Sequence, residues 1–187
     1  MKLKTKFLPG IVFIISNLLL SFSVDSKPSN AQATGVFINN LLSGKCIDVG
    51  GAPGTDNGAP LVLWDCELSN LNADNGSPTD HRWILRNDGF IVNELSGKCL
   101  DVAGYPGRSN GSKLIIYDCE FGNPRTDQRW TFTSNGFIRN RLSGKCIDVA
   151  GAPGRENGAQ LQLWDCELSG RNADNRSRTD QKWTVQY

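Results

Sequence analysis

The segment Leu-Ser-Gly-Lys-Cys-x-Asp-Val occurs three times, at 42–49, 95–102 and 142–149. In each case a second cysteine lies 20 residues after the first, and a tryptophan motif follows. The tryptophan motifs read Asp80-His81-Arg82-Trp83, Asp127-Gln128-Arg129-Trp130 and Asp180-Gln181-Lys182-Trp183. Elements that recur in the same order three times describe one supersecondary unit used three times, which must bury its apolar face against its own copies. The copies run approximately over 35–88, 89–135 and 136–187.

Residues 1–33 stand apart from this repeat. Lys2, Lys4 and Lys6 precede an apolar run from Phe7 to Val24, and Ala31 and Ala33 place small residues where a signal peptidase reads. The expectation is a signal peptide cleaved after Ala33, with a mature domain at 34–187 and a secreted product, extracellular or periplasmic. A membrane anchor is the competing reading, but the run carries Pro9 and Gly10 and is short for a span of about 20 residues. Without the first 33 residues the chain keeps 16 basic and 18 acidic side chains, a formal charge of -2, which argues against a nucleic-acid partner.

All six cysteines fall in the expected mature part. Their constant spacing points to one disulfide per copy, Cys46 with Cys66, Cys99 with Cys119 and Cys146 with Cys166. A zinc site would want CxxC pairs or clustered histidines, whereas His81 is the sole histidine of the chain, so no metal and no cofactor is expected.

Short β-type segments recur in each copy, at 35–39, 46–49, 61–64 and 82–85 in the first, separated by Gly, Asn and Pro clusters. Four strands in each of three copies, without a sustained helical period, predict an all-β fold of about twelve strands that closes on itself with pseudo-threefold symmetry. The β-trefoil meets this count. Trp83, Trp130 and Trp183 are assigned to the shared core, with Leu42, Leu95, Leu142, Ile47, Leu100, Ile147 and the opening Phe37, Phe90 and Phe137. Copies one and three carry a matching polar insertion between second cysteine and tryptophan, at 67–79 and 167–179, where copy two has only 120–126. These insertions read as surface excursions.

Two recurrent positions lack a packing reason. Asp48, Asp101 and Asp148 stand two residues after the first cysteine, and Trp64, Tyr117 and Trp164 two before the second. An aromatic face stacks on the C–H face of a pyranose while a carboxylate accepts from its hydroxyls, so together they make a minimal sugar pocket. Aspartates that only cap turns and half-buried packing aromatics are the plainer alternative.

The Cys-x-Asp start, the Leu-Trp-Asp-Cys segment and the closing Gln-x-Trp resemble the ricin B-type lectins over nearly all of residues 35–187. The resemblance implies a β-trefoil whose aspartate and aromatic line a galactose-type pocket, aided by a polar residue two before the aromatic and by an Asn-Gln pair ahead of the core tryptophan. Copy three matches with Asp148, Gln162, Trp164 and Gln181. Copy two offers Asp101, Tyr117 and Gln128 but has Ile115 at the helper position. Copy one has Asp48 and Trp64, with Val62 as helper and His81 where glutamine should orient the aspartate. Asp80, Asp127 and Asp180 replace the family's usual asparagine, and two acids in one small pocket repel unless a cation, a basic group or ligand hydroxyls intervene. The implied protein is a non-catalytic, monomeric lectin for glycans or polysaccharides, with no catalytic residues. A glycoside hydrolase or a trefoil inhibitor acting on proteins is the alternative class.

Overall fold

In the computed structural model, described for residues 35–187, the chain folds into twelve short strands with no helix among the described residues. They are β1 Val36–Asn40, β2 Cys46–Val49, β3 Leu61–Trp64, β4 Arg82–Leu85, β5 Ile91–Asn93, β6 Cys99–Val102, β7 Leu114–Tyr117, β8 Trp130–Phe132, β9 Ile138–Asn140, β10 Cys146–Val149, β11 Leu161–Trp164 and β12 Trp183–Gln186. The four-per-copy expectation holds, with the first strand displaced by a residue. No helix among the described residues is long and apolar enough to cross a membrane. The proposed signal segment lies outside the described residues.

Pairing closes the chain on itself. Within each copy the first strand meets the fourth, as Val36↔Trp83 and Phe37↔Arg82 in copy one and as the bridges Phe90↔Arg129 and Phe137↔Lys182 in the others. Between copies β4 pairs β5, β8 pairs β9 and β12 pairs β1, the last joining the end of the chain to its beginning. The remaining strands form three hairpins, β2–β3, β6–β7 and β10–β11. Their ends interlock cyclically: Gly58 N donates to Ile116 O, Gly111 N to Leu163 O and Gly158 N to Leu63 O. This arrangement is a β-trefoil, and it leaves few free sheet edges.

The core draws six side chains from each copy. Ile38, Ile47, Val49, Leu61, Leu63 and Trp83 of the first meet Ile91, Leu100, Val102, Leu114, Ile116 and Trp130 of the second and Ile138, Ile147, Val149, Leu161, Leu163 and Trp183 of the third. Each indole N–H is satisfied by a backbone carbonyl, of Ile47, Leu100 and Ile147 in turn, so burying the tryptophans leaves no orphan donor. Phe37, Phe90 and Phe137 are also buried, capped by Arg82, Arg129 and Lys182. Leu42, Leu95 and Leu142 are not core residues as expected but half-buried, because the chain turns immediately after each first strand and carries them out of the barrel.

That turn is built by Asn40, Asn93 and Asn140, all buried. Each accepts through Oδ1 from the following serine and donates through Nδ2 to a carbonyl of the preceding copy in the ring, respectively Asp180, Asp80 and Asp127. The three disulfides pair Cys46–Cys66, Cys99–Cys119 and Cys146–Cys166, as the spacing predicts.

Candidate functional site

Period-2 alternation in the hairpins sets out the site. Along β11, Leu161 and Leu163 point into the core while Gln162 and Trp164 emerge on the opposite face, half-buried. Register places Asp148 directly across from Gln162 and Cys146 across from Trp164, so the aspartate and the aromatic share one face a rung apart. The same register sets Asp48 opposite Val62 and Asp101 opposite Ile115.

In copy three the Asp148 carboxylate accepts from Gln162 Nε2 at 2.8 Å and from Gln181 Nε2 at 3.1 Å. Gln181 is itself fixed, because its Oε1 accepts from Glu167 N at 2.8 Å. Asp148, Gln162, Trp164, Gly151, Ala152, Glu167, Asn172 and Asp174 enclose a concavity of about 290 Å³. Asp180 and Gln181 lie behind Asp148, fully buried, and do not line it.

Copy one forms the equivalent concavity, of about 220 Å³, with Asp48, Val62, Trp64, Glu67, Asn72, Asp74 and His81 in its wall. His81 proves to be an isosteric stand-in for the glutamine. Its Nδ1 accepts from Glu67 N at 3.4 Å and its Nε2 lies 3.0 Å from Asp48 Oδ1, reproducing the acceptor and donor of Gln181. The histidine expected to weaken this copy therefore supports Asp48 as the glutamine does elsewhere.

Copy two differs. Asp101 is buried and accepts its own neighbour's N–H, from Val102, at 2.7 Å, while Tyr117 stands 44% exposed. The concavity of about 280 Å³ in this copy is lined not by that pair but by Tyr105, Pro106, Arg108, Glu120, Asn123, Arg125, Thr126 and Asp127. The shorter 120–126 segment accounts for this. In copies one and three the insertion reaches back, Asn75 and Asn175 donating to the carbonyls of Ala52 and Ala152, and fills the space that stays open beside Tyr105. Gln128 is held as Gln181 is, accepting from Glu120 N and donating to Asp118 O.

The insertions are thus not simple surface excursions. Glu67, Asn72, Glu167 and Asn172 are buried and wall the two cavities, and each glutamate anchors its loop by accepting from Ala73 or Ala173. The signal was present in the sequence: these positions are identical in both insertions, which a featureless solvated loop does not require.

Asp80, Asp127 and Asp180 each accept through Oδ2 from a glycine N–H, of Gly54, Gly107 and Gly154. A Cβ at Gly54 would fall 2.6 Å from Val49 Cγ1, and at Gly107 and Gly154 closer still, so glycine is required for this approach. Behind each pocket aspartate the second acid makes a buried carboxyl pair. Burial, reinforced by the neighbouring acid, pushes Asp80 up to about 8 and Asp180 and Asp101 up to about 7. Burial also raises Asp148, against the two glutamines that stabilise its charged form. One proton per pair relieves the repulsion that two adjacent acids would otherwise suffer.

Asp48, Asp80 and His81 bring three donor atoms within 4.8 Å of one another, a spacing that a metal ion could bridge. The His81 tautomer opposes it: with Nδ1 accepting from a backbone N–H, the ring proton sits on Nε2, the atom that would have to ligate.

Similar architecture occurs in the agglutinin from Abrus precatorius (24% identity, TM-score 0.61, 86% of this chain and 51% of that chain). It occurs also in an exo-beta-1,3-galactanase from Clostridium thermocellum (30% identity, TM-score 0.59, 83% of this chain and 30% of that chain) and in the C-half of the earthworm R-type lectin (17%, 0.57, 82% and 98%). The chain thus spans about half of the agglutinin and under a third of the galactanase. No curated protein matches the sequence. The family profile for the ricin-type beta-trefoil lectin domain matches residues 33–183. Three interlocked copies and a family match over residues 33–183 place it plainly: the chain belongs to the ricin-type β-trefoil lectin family.

Proposed function

We propose that the chain is a secreted, non-catalytic lectin that binds galactose-type or related sugars through up to three shallow sites. The observation that carries the reading is Asp148, fixed by Gln162 and Gln181 beside the half-buried face of Trp164 at the wall of one cavity. A carboxylate held by two amides is a rigid acceptor for adjacent sugar hydroxyls, and the indole supplies the stacking surface. The earthworm lectin half was solved with GalNAc, which supports this sugar class. In copy three the ligand would meet Asp148, Gln162 and Trp164, with Gln181 and Asp180 as positioning residues. Asp48 and Trp64, positioned by His81 and Asp80, would serve copy one, and Asp101, Tyr117, Asp127 and Gln128 copy two.

Residues 1–33 would act as the export signal, and three disulfides in a lectin domain are consistent with an extracellular protein. The galactanase relative shows that such a domain can accompany an enzyme. A glycosidase needs two carboxyls about 5–9 Å apart with a sugar between them. The acid pairs here lie side by side and buried, which favours binding over hydrolysis.

Trp164→Ala on the chain lacking residues 1–33 tests the reading. It should leave the far-UV spectrum and melting unchanged and reduce glycan-array signal about tenfold or more. An unchanged array removes this pocket. Protein binding that sugars fail to compete would favour the inhibitor class.

A further inference from the structure

Trp164 borders two cavities rather than one. The second, a groove of about 510 Å³, runs over the copy-three insertion, lined by Trp164, Asp165, Glu167, Leu168, Arg171 and Arg176 among others. Two arginines and two acids line it. Both arginines are exposed, and neither meets a carboxylate among the described residues; Arg171 Nη1 reaches only the Arg176 carbonyl, at 3.3 Å. The two acids of the wall are held by other groups. Asp165 is held by Lys145 at 2.5 Å and by Asn110 at 2.9 Å, and Glu167 is buried with Oε1 on Ala173 N.

Comparison between copies shows that the scaffold does not require these cations. The matching insertion of copy one has Leu71 where copy three has Arg171, and Gly76 where it has Arg176. Gly76 sits at φ 70 and Arg176 at φ 59, both left-handed. Glycine adopts this backbone without strain, whereas a residue with a Cβ adopts it under strain. Arginine at a position built for glycine places a cation at the groove in spite of the backbone.

We propose that the copy-three site is bipartite and selects an anionic saccharide: a neutral pyranose stacks on Trp164 beside Asp148 and Gln162, and a sulfate or carboxylate on the same or adjoining sugar lies in the groove against Arg171 and Arg176. Guanidinium forks match both oxyanions, and the Trp164 indole is a wall common to both subsites. This rests on the sugar-binding reading and adds the ligand's charge to it. Copy one, with leucine and glycine at these places, keeps only the neutral half.

The test uses a Trp64→Ala/Tyr117→Ala background, so that only copy three reports, and titrates a neutral galactoside such as lactose, its 3′-sulfate and a uronate-bearing counterpart. The sulfate and uronate arms separate the two sources of negative charge. Preference for one or both anionic forms by about tenfold at low ionic strength is expected, shrinking several-fold at 0.5 M salt as screened charge contacts must. Arg171→Leu/Arg176→Gly, which installs the residues of copy one, should abolish the preference; Arg171→Leu alone should halve it or more and guards against a folding defect in the double variant. Equal affinity for neutral and anionic forms, or a preference that survives both variants, overturns the proposal while leaving the lectin reading standing. Failure of the parent protein to bind any glycan, neutral or charged, overturns both.

Discussion

At the scale of single residues, the replacement of asparagine by aspartate ahead of each core tryptophan is resolved by a shared proton. Asp180 titrates near 7 in the folded protein against its ordinary 3.8. Between these values the folded chain holds a proton that the unfolded chain has released, so the associated stability is complete in acid and is lost as pH rises through about 7. Asp80 and Asp101 act in the same direction, near 8 and 7. Asp180→Asn keeps an acceptor for Gly154 N–H, offers a donor to Asp148 and cannot ionise. It should therefore remove about 1 kcal/mol of the stability lost between pH 6 and 8, read as a smaller fall in melting temperature over that range. A parallel pH profile in the variant would refute the shared proton. His81 teaches the complementary lesson: one tautomer of imidazole offers an acceptor and a donor at a spacing similar to a carboxamide's, so a substitution that looks disruptive in the sequence keeps the contacts to Glu67 N and Asp48 and gives up only the second donor that Gln181 spends on Asp165 O.

At the scale of elements, the hairpins of copies one and three serve twice, because one face feeds the core and the other carries the cavity side chains proposed to meet a sugar. In β11 the same four residues supply Leu161 and Leu163 to the interior and Gln162 and Trp164 to the cavity. The disulfide closing this hairpin joins Cys146, at the start of β10, to Cys166, two residues past β11. In the chain-entropy account a closed loop of this size contributes roughly 3 kcal/mol. Cys146→Ser/Cys166→Ser should lower the unfolding free energy by that order in urea titration, with most of the effect on the denatured ensemble. A loss below about 0.5 kcal/mol would contradict the account. The insertions are the second element-scale device. Where they are present they wall a cavity with a buried Asn and Glu; where copy two lacks one, the cavity migrates to Tyr105, Arg108 and Arg125.

At the scale of the molecule, three hairpins are tied into one ring by contacts that repeat cyclically. Asn57 donates to Asp118, Asn110 to Asp165 and Asn157 to Asp65, each acid also held by the lysine of its own copy. These lysine bonds and asparagines depress Asp65, Asp118 and Asp165 below the usual carboxylate range. Rigid display of several weak sites raises affinity for a multivalent glycan by factors of roughly 10²–10⁴ over a single sugar. Trp64→Ala, Tyr117→Ala and Trp164→Ala should each lower binding to a densely glycosylated surface by an order of magnitude or more, and the triple variant should abolish it, measured by surface plasmon resonance. Complete loss in Trp164→Ala alone would assign the activity to copy three only.

The repeat in the sequence determined the strand count, the ring closure, the disulfide pairing and the core tryptophans, because identical segments must bury identical faces and only a closed threefold arrangement does so three times over. It also singled out Asp148 with Gln162, since alternation and register in a four-residue hairpin follow from the pattern itself. Only the tertiary structure decided that Leu42 leaves the barrel, that His81 takes over a glutamine's contacts to Glu67 N and Asp48, that the insertions wall the cavities and that Arg171 and Arg176 meet no carboxylate among the described residues in the groove beside Trp164. Those outcomes depend on which side chains distant in sequence come to lie a few ångströms apart, and on how burial then changes the cost of their charge, quantities no local pattern of residues encodes.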